Sequence, residues 1–208
     1  MNTVTAWLRQ CVVGLSILLA MTVILGVAYP AVVWGISRIG STSAEGSAVT
    51  DSNGCVVGSS LIGIDPQVPA GEADKYLHAR VLGSSEDPMA PGDPSASAAG
   101  NQGPNSEKLA GWIETRRQLI ASREGVTPEQ VPVDAVTGSG SSLDPHISEA
   151  YAQLQVPRIA RENGITEARV REVIDANTDG RRLGFLGQPT VNVLLVNLGL
   201  GLTAPSCG

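Results

Sequence analysis

The sequence predicts an α+β soluble domain, richer in helix than in strand, that is tethered by one N-terminal transmembrane helix. Three observations lead to this fold class. No charged residue lies between Arg9 and Arg38, and the 23 residues 12–34 inside that gap are almost entirely apolar. The rest of the chain mixes short valine-rich segments with segments whose apolar residues recur every three or four positions. A length of 208 residues suits one domain with an appendage.

The apolar run 12–34 is long enough to cross a bilayer. As a helix it would extend about 34 Å, against a hydrocarbon core of about 30 Å. The alternatives are a cleavable signal peptide and a buried core helix. A signal peptide has a shorter apolar region that ends in a small-residue cleavage site. This run instead ends in Tyr29 and Trp34, which suit a membrane interface. We therefore expect a retained, single-pass membrane anchor.

The charges around the anchor bear on orientation and on partners. Arg9 precedes the span and Arg38 follows it, so basic residues set the topology weakly. The chain beyond Arg38 carries all 20 acidic residues against 12 basic ones, the total of 14 without these two arginines, which gives a net charge of −8. This balance argues against nucleic-acid binding, which needs basic patches. It favours a soluble domain on the outer side of the membrane.

Composition divides the chain into four parts. They are a short N-terminal tail (1–10), a transmembrane helix (11–36), a polar linker (37–54) and a soluble α+β domain (55–208). The domain begins with one or two short strands, because the segment 55–64 is apolar and interrupted by glycine. Residues 83–106 are rich in Gly, Pro, Ser and Ala and have little to bury, so they predict a functional or flexible excursion.

Three helical segments are predicted in the second half. The first starts after Asn105 or Ser106 as its cap and ends at Gly125. The second is a helix pair or a kinked helix, because Pro157 lacks the donor that a helix interior needs. Thr166 is the expected cap of the third.

The last apolar stretch, 189–202, is ambiguous between helix and strand. Pro189 suits the first turn of a helix, whereas the valines suit a strand. Asn192 and Asn197 interrupt the stretch, and both need partners if they are buried. Those partners could lie within the domain or on a neighbouring subunit.

The segment VTGSGSSLDPHIS, residues 136–148, holds the most tempting chemistry. Ser139 or Ser141 with His146 and Asp134 could supply a serine-hydrolase triad by composition. The glycine spacing, however, fits neither a nucleophile elbow nor a phosphate-binding loop.

A structural turn is the better interpretation of that segment. Asp144 can cap a helix whose first residue is Pro145, and the serines and glycines can form a tight turn before it. We therefore predict a turn that begins a helix, with the membrane-anchored serine hydrolase as the alternative.

Other candidate sites are weaker. Gln155, a neutral amide close to Pro157, could bond backbone at the kink or bind a ligand, with the structural role as the default. His78 has no third ligand candidate near it, so we expect no metal site. Cys55 and Cys207 could pair in an oxidising compartment, although spacing alone does not establish the bridge.

The chain resembles the C subunit of the bacterial high-affinity potassium-transporting P-type ATPase. The resemblance runs nearly end to end. In order, the blocks that carry it are AYP, VVGSSLIG, YLHAR, NQGPNS, VPVDAVTGSGSSLDPHIS, QLQVPRIAREN and RRLGFLGQPTVNVLLVNLGL. There are departures: LIGIDPQV stands where the family usually has LIGQ and an aromatic, and GSSLDP stands where it has GSGLDP. These departures concern loop contacts.

The resemblance implies a non-catalytic accessory subunit that assembles and stabilises an ATP-driven, high-affinity potassium uptake complex in the bacterial plasma membrane. Its implied partners are a channel-like potassium-binding subunit and a P-type subunit that hydrolyses ATP, and its anchor contacts membrane lipid. The family is described as a catalytic chaperone that raises the ATP affinity of the pump subunit. No cofactor is expected to be bound permanently, and ATP would be met only in a transient complex, with Gln155 as the implied contact. This chain has neither a phosphate-binding loop nor the pump motif D-K-T-G-T.

The implied topology conflicts with the implied nucleotide contact. Contact with ATP needs a cytoplasmic domain, whereas related complexes are understood to place this domain outside, over the potassium-selective subunit. One stable topology cannot satisfy both. The charge balance favours the outer side.

Overall fold

The structure is a computed structural model that describes residues 3–63, 65–84 and 86–202. The chain separates into two compact units, one that ends at Ser47 and one that begins at Ala48. Helix predominates over strand in the described part, and the N-terminal unit is an apolar helix. The predicted fold class, a helix-richer α+β domain with one N-terminal apolar helix, is confirmed.

The N-terminal unit is one long helical rod with no buried side chain among its described residues. It consists of α1 (Thr3–Val23), a π-helical turn (Ile24–Ala28), α2 (Tyr29–Ser37), a 3-10 turn (Arg38–Gly40) and α3 (Ser41–Ala44). Tyr29 N–H bonds to the carbonyl of Ile24, five residues back. This widened turn lies just before Pro30, whose ring and missing N–H disturb regular helix geometry.

By length and composition this rod can cross a membrane. The stretch Thr3–Ala44 contains a window with a mean hydropathy of 2.6, and none of that window is buried. Helix also covers residues 3–10 and 38–44, where the sequence suggested a tail and a linker. Gly40 interrupts the regular helix there with a φ of −126° and a ψ of 59°, and the chain leaves the helical conformation by Gly46, which adopts a positive φ of 88°.

The second unit opens with a small antiparallel hairpin. Strand β1 (Ala48–Thr50) pairs with β2 (Val56–Ser59). Asp51 shapes the connecting turn, because its carboxylate accepts hydrogen bonds from the backbone N–H groups of Asn53 and Cys55. Cys207, the other half of the suggested bridge with Cys55, lies outside the described residues.

The chain between β2 and the next helix has no helix or strand in its described residues, yet part of it is core. Leu77, Ala79 and Val81 are 0–3% exposed. The excursion 83–106 is bonded to the body of the unit, since Ala98 N–H donates to the carbonyl of Ser141 at 3.2 Å. Its flexibility stays a prediction.

The remaining elements form the body of the unit. They are α4 (Glu107–Glu124), a 3-10 turn (Pro128–Gln130), α5 (Val133–Val136), β3 (His146–Ile147), α6 (Glu149–Asn163), α7 (Glu167–Ala176), β4 (Thr178–Asp179), β5 (Thr190–Asn192) and α8 (Val193–Gly199). Strand β5 lies between β3 and β4, and both pairings are antiparallel. The helices α4, α6 and α7 pack with β5 and α8 around one apolar core.

Most predicted helix ends are confirmed. Ser106 and Thr166 accept the capping bonds of α4 and α7, and Gly125 ends α4 in a left-handed conformation. The expected cap at Asp144 is wrong, because α6 begins after Ser148, whose hydroxyl accepts from Tyr151 N–H.

Helix α6 runs through Pro157 as one 15-residue helix, so no helix pair forms. Pro157 is exposed, and water can therefore satisfy the carbonyl that its missing N–H leaves free. The ambiguous stretch 189–202 contains both structures, strand β5 followed directly by α8. Asn192 marks the change, because its side chain caps α8 at Leu195 N–H.

Candidate functional site

Two buried carboxamides hold the backbone of residues 76–80, which we call the YLHAR segment. Asn197 accepts from Leu77 N–H at 2.8 Å and donates to the Leu77 carbonyl at 2.9 Å. Gln155 accepts from His78 N–H at 2.8 Å and donates to the His78 carbonyl at 3.2 Å. The two side chains thus replace the neighbouring strand that this extended, buried segment lacks.

The side chain of His78 lies between two carboxylates. Its Nδ1 is 3.1 Å from both oxygens of Asp65, and its Nε2 is 2.8 Å from Asp74. Burial by itself lowers the pKa of His78, but the charge of Asp65 and the hydrogen bonds to both carboxylates raise it above its ordinary value. The arrangement therefore favours a positively charged imidazolium that links the two acidic loops.

We predict that the stability of the soluble unit falls as pH rises through the raised pKa of His78. A histidine with a raised folded-state pKa gives stability that is fully present below the unfolded-state pKa and lost above the folded-state one. Unfolding measured from pH 6 upward should show this decline in the natural chain and not in a His78→Gln variant. Parallel curves for the two chains would contradict the prediction.

A buried ion pair lies next to this histidine, because Asp74 contacts both His78 and Arg158. Arg158 Nε is 3.0 Å from Glu124, and the two side chains are 3% and 0% exposed. Arg158 also donates to the carbonyls of Asp74 and Tyr76, and to Gln155 Oε1. One guanidinium therefore connects α4, α6 and the approach to the YLHAR segment.

A second arginine completes the charged cluster. Arg123 Nε donates to Glu124 at 2.7 Å, and its Nη2 donates to the phenol oxygen of Tyr151 at 3.0 Å. Burial raises the pKa of Tyr151 to about 12, so the phenol stays neutral at physiological pH. The charges of this cluster are satisfied by each other and by backbone, which is the arrangement of a structural network.

Gln155, the implied nucleotide contact, is 0% exposed and uses both ends of its amide. It bonds backbone as the structural interpretation expects, although on the YLHAR segment and not at Pro157. A ligand could reach this amide only if the segment moved away from α6. The nucleotide contact therefore stays a prediction, and it requires this movement of the YLHAR segment.

The candidate triad residues have other partners. Asp134 accepts from both the N–H and the hydroxyl of Ser148, each at 2.8 Å. The hydroxyl of Ser141 accepts from Leu143 N–H. In the described residues no hydrogen bond joins Ser139 or Ser141 to His146.

His146 itself lies at the start of β3, near acidic groups. Its Nδ1 is 3.4 Å from Asp144, which also accepts His146 N–H at 3.0 Å in a local turn. The other ring nitrogen is 3.9 Å from Asp179. Over 3–63, 65–84 and 86–202, no group of three or more His, Cys, Asp or Glu side chains is arranged to hold a metal ion.

Arg116 is a structural centre that the sequence did not indicate. It is 1% exposed and donates to the carbonyls of Leu82, Pro88 and Val136 at 2.8 to 3.0 Å. Trp112, one turn earlier on α4, places its ring centroid 5.1 Å from the Cζ atom of this guanidinium. The hydrogen bonds of Arg116 join the glycine-rich excursion to α4 and α5.

The apolar helix and the segments that build this site, from the YLHAR segment to α8, follow one another in the order found in a single protein family. The sequence model of the family KdpC, described as "K+-transporting ATPase, c chain", matches residues 11–201. The chain belongs to the KdpC family. The match includes the YLHAR segment, both carboxamides and the 136–148 loop.

Individual relatives agree with the family match. The chain is 43% identical over 204 residues to the "Potassium-transporting ATPase KdpC subunit" of Kineococcus radiotolerans, covering 97% of each chain. It is 41% identical over 206 residues to the protein of that name from Caulobacter sp. strain K31, covering 97% of this chain and 96% of the relative. The corresponding protein of Koribacter versatilis is 34% identical over 200 residues, with 95% and 96% covered. The resemblance stated from the sequence is confirmed.

Proposed function

We propose that the chain is a non-catalytic accessory subunit of an ATP-driven, high-affinity potassium uptake complex, which it assembles and stabilises. The observation that carries the proposal is membership of the KdpC family over residues 11–201. Its proposed partners are the channel-like potassium-binding subunit and the P-type subunit that hydrolyses ATP. The internally satisfied charges around the YLHAR segment support a structural role over a catalytic one.

The soluble unit is proposed to lie outside the cytoplasm, with the helical rod as its single-pass anchor. The net charge of −8 beyond Arg38 supports this orientation. Protease added outside intact spheroplasts should then remove a C-terminal tag and leave a cytoplasmic control protein uncut. Protection of the tag until the cells are lysed would overturn the orientation.

A chaperone effect on ATP affinity is compatible with this orientation only if it acts through the partner subunits. Such coupling is reciprocal: if the subunit raises the ATP affinity of the pump by some factor, ATP raises the pump's affinity for the subunit by the same factor. Binding of the subunit to the purified pump, measured with and without a non-hydrolysable ATP analogue, tests this. Equal affinities would exclude the effect.

Co-purification tests the subunit proposal most directly. The full chain, tagged at the C-terminus, is expressed in potassium-starved bacteria together with the pump subunits, and the membranes are solubilised in mild detergent. Recovery of a channel-like subunit and a P-type ATPase in fixed ratio is the expected result. Recovery of the chain alone, with both partners present in the membrane, would refute the proposal.

Substitution of His146 separates the subunit from the alternative hydrolase. As a subunit, a His146→Ala variant should support potassium-dependent ATP hydrolysis within about twofold of the natural chain. A hydrolase that used Ser139 or Ser141 would lose turnover by several orders of magnitude. The hydrogen bonds of the described residues favour the subunit, because none of them joins Ser139 or Ser141 to this histidine.

A further inference from the structure

The loop between β4 and β5, residues 180–188, projects apolar side chains into solvent. Leu183, Phe185 and Leu186 are 82%, 70% and 50% exposed. Phe185 is the single phenylalanine of the chain. In the described part of the soluble unit, no other stretch this short exposes three large apolar side chains by half or more.

The loop is closed by its own hydrogen bonds. Arg182 N–H donates to the carbonyl of Leu186, and Leu186 N–H donates back to Arg182, each at 2.9 Å. The side chain of Arg181 bonds Gln188 across the base of the loop at 3.0 Å. These bonds constrain the backbone of the loop, and a constrained loop loses less entropy on binding.

The backbone at the tip of the loop is strained. Leu183 has a φ of 54°, a left-handed conformation that residues other than glycine rarely adopt, and Gly184 follows at 81°. Such conformations persist where the surrounding structure imposes them, and they cluster at sites of function. Here the strained position is also the most exposed of the three apolar side chains.

The loop is joined rigidly to the core of the unit. Strand β4 precedes it and β5 follows it, and the two strands pair through Thr178 and Val191. Strand β5 leads directly into α8, which carries Asn197 and its grip on the YLHAR segment. The loop is therefore connected to the buried network through one strand and one helix.

We propose that the 180–188 loop is a docking tip for a partner subunit of the potassium pump, seated in an apolar pocket with an acidic rim. Aromatic residues and arginine are both enriched in the cores of protein interfaces, and Phe185 shares this loop with two arginines. The loop carries Arg181 and Arg182, and the exposed Asp179 directly precedes it, so two arginines against one aspartate give the stretch 179–188 a net charge of +1. The chain beyond the anchor is net acidic, which makes this stretch a local positive site. The inference rests on the proposed subunit function, which requires a protein surface on this unit.

A lipid surface is the less favoured occupant. An anionic leaflet would attract two arginines but repel the acidic remainder of the soluble unit. A pocket with acidic groups at its rim attracts the arginines and leaves the rest of the unit in water. The chemistry therefore favours protein over bilayer.

Site-specific cross-linking in the assembled complex identifies the occupant. Leu183 is replaced by a photoreactive benzoylphenylalanine in the full chain, co-expressed with the pump subunits, and native membranes are irradiated. The expected product joins this chain to one pump subunit. Cross-links to lipid alone, or none to any pump subunit, would overturn the proposal.

Affinity measurements supply the second readout. The double substitution Leu183→Ser with Phe185→Ser should weaken binding to the purified pump at least tenfold, and Arg182→Glu should weaken it further. Val133→Ser is the matched control, since Val133 is 72% exposed elsewhere on the unit. The melting temperature of each free variant should equal that of the natural chain, because all four side chains are exposed.

The outcomes separate the two proposals. If the natural chain binds the pump and the double variant binds it equally well, the docking tip is wrong while the subunit function stands. If the natural chain fails to bind the pump at all, the subunit function and the docking tip fall together. Tenfold weakening by the double variant, with Val133→Ser unchanged, supports both.

Discussion

Replacing Arg158 by alanine should destabilise the soluble unit by about 3–5 kcal/mol, the usual loss when one partner of a buried ion pair is removed. The variant leaves the carboxylate of Glu124 buried with only Arg123 beside it. It also removes the donor to the carbonyls of Asp74 and Tyr76. Denaturant unfolding of the full chain in mild detergent, followed by circular dichroism, measures the loss.

An exposed ion pair provides the matched control. Arg169 lies 2.8 Å from Glu172 on α7, but the two side chains are 53% and 69% exposed. Arg169→Ala should change the free energy of unfolding by about 0.5 kcal/mol or less, because water screens such pairs. Equal losses for the two alanine variants would show that burial of the Arg158 pair does not increase its contribution to the free energy of unfolding.

A double variant tests the reason for the loss. Glu124→Met combined with Arg158→Met removes the unpaired charge and should recover part of the stability that Arg158→Ala loses. Recovery should stay incomplete, because Arg123 loses its carboxylate partner and the carbonyls of Asp74 and Tyr76 still lack their donor. Full recovery would show that the Arg123 ion pair and these backbone bonds together contribute little.

The sequence predicted those features of the fold that depend on neighbouring residues. Ser106, Thr166 and Gly125 act as helix ends because capping needs only a side chain or a glycine next to the helix. The fold class and the apolar helix likewise follow from local composition. The short strands were harder to predict, since each has two to four residues and is defined by distant pairing.

Asp144 shows how a tertiary contact overrides a local rule. Aspartate before proline is a good helix start, yet the residues around it are drawn into extended structure. The carbonyl of Leu143 accepts from Gly63 N–H, and the carbonyl of Pro145 accepts from Val193 N–H. These partners are far away in sequence, so no local pattern announces them.

The candidate site was predicted only in part for the same reason. Gln155 was singled out as an amide that could bond backbone or a ligand, and Asn197 as one that needs a partner if buried. The structure supplies backbone partners 77 and 120 residues away. Glu124 and Arg158 were not singled out, although both sit among apolar helix positions. A charged residue on an apolar face is the signal that could have found them.

Replacing Gln155 by alanine should destabilise the unit by about 2–4 kcal/mol, because the N–H and the carbonyl of His78 both lose their buried partner. Asn197→Ala is a close match, since Asn197 holds both backbone groups of the adjacent Leu77 in the same way. Denaturant unfolding of the full chain should give losses of similar size for the two variants.

The same pair of variants decides whether Gln155 contacts nucleotide. If its role is structural, complexes that retain either variant should hydrolyse ATP with the KM of the natural complex, and only the fraction of pump carrying the subunit should fall. If Gln155 touches ATP, Gln155→Ala should raise KM in fully occupied complexes while Asn197→Ala leaves it unchanged. The second result would require the soluble unit to be cytoplasmic and the YLHAR segment to leave α6 during turnover. The 0% exposure of Gln155 favours the first result.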